Sequence, residues 1–345
     1  MYSNNLYLSR LLLYTTVIMN KLIKSYLPAL LVILFFFVSC GKDPITPIPI
    51  PVEPEKPTPP IVVPQDSGFK REVTFSNYIE YRTGNYPLII TIPHGGKTVV
   101  SGFPTRTKEN CPDPNFTTVL DKNTYELGCM IDSMVFVQTG RRPFMVYCSL
   151  KRTHIDMNRS LQYAVPNSDV ELTGIYNYFY DKIMSAKKTI ADSGYTTGLL
   201  IDIHGHSHQK QRVELGYQLS GATLGMTDAA LNSQNYASKS SIYYLALHNK
   251  KNIDFAQVMR GTYSFGTLLF ANGVDCIPRV GLLSPGDDPY FSGGNITNMN
   301  GSGKGGTVNA IQMEFCSSYR ETADERERVA KAIAKAVEEY KNALW

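Results

Sequence analysis

GLLIDIHGHSH, residues 198 to 208, carries the pattern from which the architecture follows. Leu199, Leu200, Ile201 and Ile203 form a short apolar run with the length and composition of a buried strand. Polarity rises at once at its C-terminal end, through Asp202, His204, His206, Ser207 and His208. Three of the chain's six histidines fall within five residues. They stand where a strand of an open α/β sheet delivers side chains to a site. Imidazole is the commonest side-chain metal ligand, and Asp202 is near enough to act on a neighbouring ring. A single histidine here would be read as part of a polar turn, whereas D-I-H-G-H-S-H points to metal binding or catalysis. One ligand does not make a site, so the rest of the chain must supply its partners.

Two further runs end in the same way. Pro87 to Ile92 (PLIITI) reads as a buried strand and leads into Pro93-His94-Gly95-Gly96, whose glycines permit a tight turn beside His94. Pro143 to Cys148 reads as another strand and leads into Lys151 to Arg159, where Arg152, Asp156, Asn158 and Arg159 suit an anionic group. Ala310 to Phe315 (AIQMEF) reads as a last strand with Glu314 inside it. The period-2 mates of Glu314 are Gln312 and Cys316, so the pattern leaves open whether it faces solvent or a site.

Helical spacing marks the segments between. Leu127, Met130, Ile131, Met134 and Val135 make one apolar face of a helix that follows Asp121. A carboxylate ahead of a helix is the expected cap, so Asp121 reads either as a cap or as a metal ligand. Gly174 to Ala191 reads as a second helix, and Phe291 to Thr297 as a flexible polar loop. The chain closes with a capping box, Thr322 to Glu325, and a buried stripe of Val329, Ile333 and Val337. Strands alternating with helices, with polar residues at strand ends, predict one α/β domain with a mostly parallel mixed central sheet flanked by helices.

The N-terminal 66 residues read differently. Residues 1 to 40 form a lipoprotein signal region in which Met19 is the expected start. Lys21 and Lys24 precede an apolar core, Leu27 to Val38, that ends at Ser39-Cys40-Gly41. Cys40 is the expected lipidated N-terminus, which implies a bilayer partner and a place in the cell envelope outside the cytoplasm. Residues 41 to 66 are a proline-rich tether holding nine of the chain's twenty prolines. Such a segment favours polyproline II and reaches about 3 Å per residue. The folded part then spans 67 to 345. A net charge of +4, spread without a basic run or aromatic interleaving, does not suggest a nucleic-acid partner. The remaining cysteines show neither a disulfide framework nor zinc-ribbon spacing.

Taken in order, PHGG (93 to 96), D-x-x-T-x-E-L (121 to 127), R-x-x-x-D-x-N-R (152 to 159), DIHGH (202 to 206) and QMEF (312 to 315) resemble the N-formylglutamate amidohydrolase family. That family is related to the zinc carboxypeptidases and to the aspartoacylase and succinylglutamate desuccinylase enzymes. The resemblance runs from about Pro87 to Tyr319. It implies a zinc carboxypeptidase-like (phosphorylase/hydrolase-like) fold binding one zinc ion, and a hydrolase that cleaves the amide bond of a carboxylate-bearing small molecule or peptide. Under it, His94 and His204 are metal ligands. The acidic ligand of carboxypeptidases would fall at Lys97, so Asp121 takes that role, with Glu126 the second choice. Glu314 becomes the general base and acid, and Arg152 polarises the scissile carbonyl. Asn158 and Arg159 hold the substrate carboxylate, Arg212 is a further anion-binding candidate, and His206 is a substrate contact. Asp202 orients an imidazole. The chain departs from the family at Ser292 to Gly301, which has no basic residue, and an exported enzyme would meet peptides, N-acylated amino acids or cell-wall fragments. The alternative is a surface lipoprotein that binds a ligand in the same pocket without cleaving it; binding alone would not require Glu314.

Overall fold

In a computed structural model, residues 68–233 and 236–345 are described. The signal region, Met19, Cys40 and the proline tether lie outside the described residues. Eight strands build the sheet: β1 (Val73–Ser76), β2 (Ile79–Arg82), β3 (Leu88–Ile92), β4 (Phe144–Cys148), β5 (Gly198–Gly205), β6 (Val213–Gly216), β7 (Cys276–Ile277) and β8 (Val308–Phe315). Their spatial order is β1-β2-β4-β3-β5-β8-β6-β7. The four central strands β4, β3, β5 and β8 run parallel, as expected, while β2 against β4 and β6 against β8 are antiparallel.

Because side chains alternate along a strand, each central strand shows one set to either face. Ile90 and Ile92 of β3, Ile201 and Ile203 of β5, and Ile311, Met313 and Phe315 of β8 belong to one core cluster. Helices α1 (Thr124–Thr139) and α3 (Ala323–Leu344) cover it, through Leu127, Ile131 and Val135 and through Val329, Ile333 and Val337. The stripes read from sequence are therefore the buried ones. On the other face, Ile89, Leu200 and Ala310 pack against Leu172, Ile175, Phe179 and Ile183 of a third helix, α2 (Val170–Asp192 in chain order between the other two). Two residues further along each strand, this same face turns polar: Thr91, Asp202 and His204, then Gln312 and Glu314, all buried. The site is thus the C-terminal half of a face whose N-terminal half is aliphatic core.

Local signals fix the helix ends. The Thr322 hydroxyl accepts from the Glu325 amide at 3.2 Å, the N-cap half of the expected box, while the Glu325 carboxylate pairs with Arg328; Asp169 accepts from the Leu172 amide at 2.9 Å. That cap starts α2 at Val170, four residues before the expected Gly174. The segment expected to be a flexible loop also differs: Asn295–Asn300 is a short helix with Ile296 buried. It is pinned by the Ile296 amide, which donates to Asn158 Oδ1 at 2.9 Å. Cys111, Cys129, Cys148, Cys276 and Cys316 are free thiols, in keeping with the absence of a disulfide pattern.

Candidate metal centre

His94 leaves the end of β3, and His204 stands inside β5, one residue before its end. Their Nδ1 atoms face each other at 3.1 Å, and Asp121 Oδ2 lies 3.4 Å from the first and 3.3 Å from the second. Asp121 is not the helix cap. The N-cap of α1 is Asn123, and no side chain caps that end. The Asp121 amide donates instead to the His94 carbonyl at 3.1 Å, and its carboxylate accepts from the Gly205 amide at 3.1 Å. Gly96 makes the approach of this turn possible, since a Cβ there would stand 2.3 Å from the Leu150 carbonyl oxygen. Glu126, the second choice, ion-pairs with Lys97 at 3.1 Å, and the cluster of potential ligand atoms holds Asp121 instead.

The far nitrogen of each ring meets a buried carboxylate. His94 Nε2 is 2.6 Å from Asp156 Oδ1, and His204 Nε2 is 2.8 Å from Asp202 Oδ2. A carboxylate only accepts, so both Nε2 atoms carry the proton and both Nδ1 atoms turn lone pairs inward. Asp202 is fixed in turn by the Thr91 hydroxyl at 2.7 Å, and Asp156 by Arg152 Nε at 2.8 Å and the Asn158 amide at 3.0 Å. Three lone-pair donors held this close repel one another unless a proton or a cation lies between them.

The spacing suits a metal. Tetrahedral zinc with bonds of about 2.0–2.1 Å needs donor atoms about 3.3 Å apart. The three edges here are 3.1, 3.3 and 3.4 Å. Two imidazoles oriented by carboxylates, plus one carboxylate, match the donor set that open zinc sites use.

Electrostatics report the same demand for positive charge. Burial works against ionised Asp121, but its close contacts with His204 and His94 outweigh it and hold the carboxyl well below the usual range. Burial likewise opposes protonation of His204, yet Asp202 and Asp121 together push it well above the ordinary imidazole value. Glu314 goes the other way. Burial raises it to about 8, helped by Asp121, Glu214 and Asp202 and opposed by His204. It sits directly across from His204 in the β5–β8 register, and Gln312 Nε2 donates to its Oε1 at 2.9 Å. The strand pattern left its direction open; the structure turns it inward.

The arginines divide. Arg152 spends Nε on Asp156, while its Nη1 stands 4.0 Å from Asp121 Oδ1, so the outer edge of the fork faces the triad. Arg159 is committed elsewhere: Nε pairs with Asp113, Nη1 donates to the Asn158 carbonyl at 3.0 Å and Nη2 to the Asn115 carbonyl at 3.2 Å. Asn158 is engaged as well, by Gln312 Oε1 at 3.1 Å and the Ile296 amide. Both members of the pair expected to hold a substrate carboxylate thus have partners within the protein. Arg212 pairs with Asp288 at 3.1 Å, and its buried Nε has no hydrogen-bond partner among the described residues. His206 is not at the triad; its Nε2 donates to the Arg212 carbonyl at 2.9 Å, beside His208 and Glu214.

Sequence reasoning grouped Asp156 with residues suited to an anionic group, not behind a ligating histidine, and passed over Arg320. The buried Arg320 guanidinium donates to the carbonyls of Phe315, Lys122 and His206, each one or two residues beyond Glu314, Asp121 and His204. A Cβ on Gly205 would stand 2.4 Å from its central carbon, so that glycine makes room for the clamp. Nothing in the local pattern around Arg320 marks it, because all three partners come from distant segments or from the turn before it.

No family model matches the chain, and no curated protein matches it. Among solved structures it is similar to a gene product of Agrobacterium tumefaciens, at 11% identity and TM-score 0.42, over 79% of this chain and 96% of that one. It is similar to an N-formylglutamate amidohydrolase from Ralstonia eutropha, at 12% identity and TM-score 0.40, over 75% and 94% of the two chains. It is also similar to an N-acetylmuramyl-L-alanine amidase from Mycobacterium smegmatis, at 12% identity and TM-score 0.30, over 74% and 96%. These likenesses are too slight to carry a conclusion about activity, which rests on the side chains alone.

Proposed function

We propose that this chain is a zinc-dependent hydrolase that cleaves the amide bond of a carboxylate-bearing substrate, an N-acyl amino acid or a short peptide. The observation that carries this reading is the convergence of His94 Nδ1, His204 Nδ1 and Asp121 Oδ2 beside the buried Glu314. A divalent ion held by those three atoms supplies Lewis acidity and makes a water more acidic. Glu314 takes the proton of the attacking water as the new C–O bond forms, and returns it to the amine as the C–N bond breaks. The outer nitrogens of Arg152 stabilise the negative charge that develops on the carbonyl oxygen. Asp156 and Asp202 keep both imidazoles in the ligating tautomer.

The test is amine release from N-formylglutamate, N-acetylglutamate and dipeptides with free C-termini, using the zinc-loaded full chain. Turnover that is lost with a chelator and restored by zinc supports the reading. No turnover on any of these by a chain that retains zinc would sink it.

Arg212 has a buried donor to spare and was already an anion-binding candidate, so it takes the substrate carboxylate in place of Arg159. A hydrogen bond to a charged group is worth about 1.5–3 kcal/mol, roughly tenfold or more in affinity. Arg212→Ala is therefore expected to raise KM for carboxylate-bearing substrates by about tenfold or more, with a much smaller change in kcat. Steady-state kinetics check this, and an unchanged KM would return the carboxylate to another residue.

A further inference from the structure

His206, His208 and Glu214 are not used by the chemistry above, yet their potential ligand atoms all lie within 4.8 Å of one another. We propose that they form a second divalent-cation site, which fastens the turn between β5 and β6 to the loop that carries Phe291. This inference does not depend on the hydrolase reading.

Each side chain is aimed by a contact on its other side. His206 Nε2 donates to the Arg212 carbonyl at 2.9 Å, which leaves Nδ1 as the lone-pair atom. Glu214 Oε2 accepts from the Phe291 amide at 2.8 Å, which presents Oε1 to His208 Nδ1 at 2.7 Å. The His208 ring is held flat against Phe291, with centroids 4.7 Å apart and planes 6° apart. A histidine that donates its far N–H to a backbone carbonyl, as His206 does, has the orientation usual for a metal ligand.

Charge gives the reason for an ion. Glu214 is wholly buried, and it faces Glu314 across the β6–β8 register. The nearest arginine in sequence, Arg212, is turned to Asp288. An unpaired buried carboxylate is costly, so Glu214 needs a positive partner. Either a protonated His208 or a cation shared by the three side chains supplies one. His208 is partly exposed and gives the site an opening to solvent. On entry, the ion replaces the proton between His208 Nδ1 and Glu214 Oε1. It also displaces the His208 amide from His206 Nδ1, a single 3.1 Å bond at the exposed end of the turn. Two imidazoles and one carboxylate select zinc, cobalt or nickel over magnesium or calcium.

The experiment is zinc stoichiometry on the full chain, stripped with chelator and reloaded, for wild type, His204→Ala, His208→Ala and His208→Gln. The glutamine variant keeps a hydrogen-bond donor for Glu214 while removing the imidazole, and circular dichroism checks that each variant is folded. The expected values are about two equivalents for wild type and about one for each variant, with cobalt absorption bands in His204→Ala from the remaining site. One equivalent in wild type and none in His204→Ala would overturn the second site and leave the triad standing, with His208 and Glu214 a simple ion pair. One equivalent in wild type and none in His208→Gln would do the reverse, placing the only ion at the second cluster.

Discussion

Glu314→Gln is expected to lower kcat for amide hydrolysis by about 10²–10⁴-fold, the range for removing a positioned general base. KM should change little, and zinc should be retained, because Glu314 is not among the triad donors. A catalytically inactive binding protein would show no activity to lose, so the size of this effect separates the two functions. The same substitution has a second signature. Burial raises Glu314 to about 8 from an ordinary value of 4.5, so its neutral carboxyl form is favoured in the folded chain. The stability this contributes is complete below the unfolded value and is lost as pH rises through about 8. Metal-free Glu314→Gln should therefore unfold at a higher temperature than metal-free wild type above pH 8, and match it near pH 4. In the zinc-loaded enzyme the positive charge at the triad draws the carboxyl downward. The acid limb of kcat/KM then falls below pH 8 in wild type and vanishes in the variant. A Glu314→Gln enzyme with wild-type kcat would remove Glu314 from the chemistry.

Asp202→Asn is expected to weaken zinc binding about 10–100-fold, as loss of a carboxylate behind a ligating histidine generally does. Asp202 accepts from His204 Nε2 at 2.8 Å and from Thr91 at 2.7 Å. An asparagine can present its amide nitrogen to the ring, which reverses the tautomer and turns the proton toward the ion. Asp156→Asn should act alike on His94 and also release Arg152, so its loss of turnover should exceed its loss of affinity. Competition with a chromophoric chelator measures both variants. Unchanged zinc affinity in both would mean that neither ring is oriented by its carboxylate.

These residues also separate what the sequence made legible from what it did not. Aliphatic runs ending in polar residues gave the central strands, and the helical stripes gave the covering helices, because both signals are local and periodic. His94 and His204 were readable for the same reason: each ends an apolar run. The role of Asp121 was not fixed by spacing, since its contacts come from the His94 carbonyl and the Gly205 amide. The partner of Arg159, Asp113, lies 46 residues upstream, so the local pattern did not show that this guanidinium is engaged. Asp156 sits 62 residues from the ring it orients, and Arg320 draws together segments up to 198 residues apart. Residues that bind each other across such distances look locally like ordinary polar positions.

The most direct test of the metal centre is calorimetric zinc titration of the stripped full chain, as wild type and as Asp121→Ala, at pH 7.5 and at pH 6. The variant is expected to bind one equivalent fewer than wild type, whatever total the wild type holds. The equivalent that is lost should bind more weakly at pH 6, because zinc competes there with a proton for His204, whose proton affinity Asp202 and Asp121 raise. Equal stoichiometry and affinity in the two proteins would contradict zinc binding by His94, Asp121 and His204.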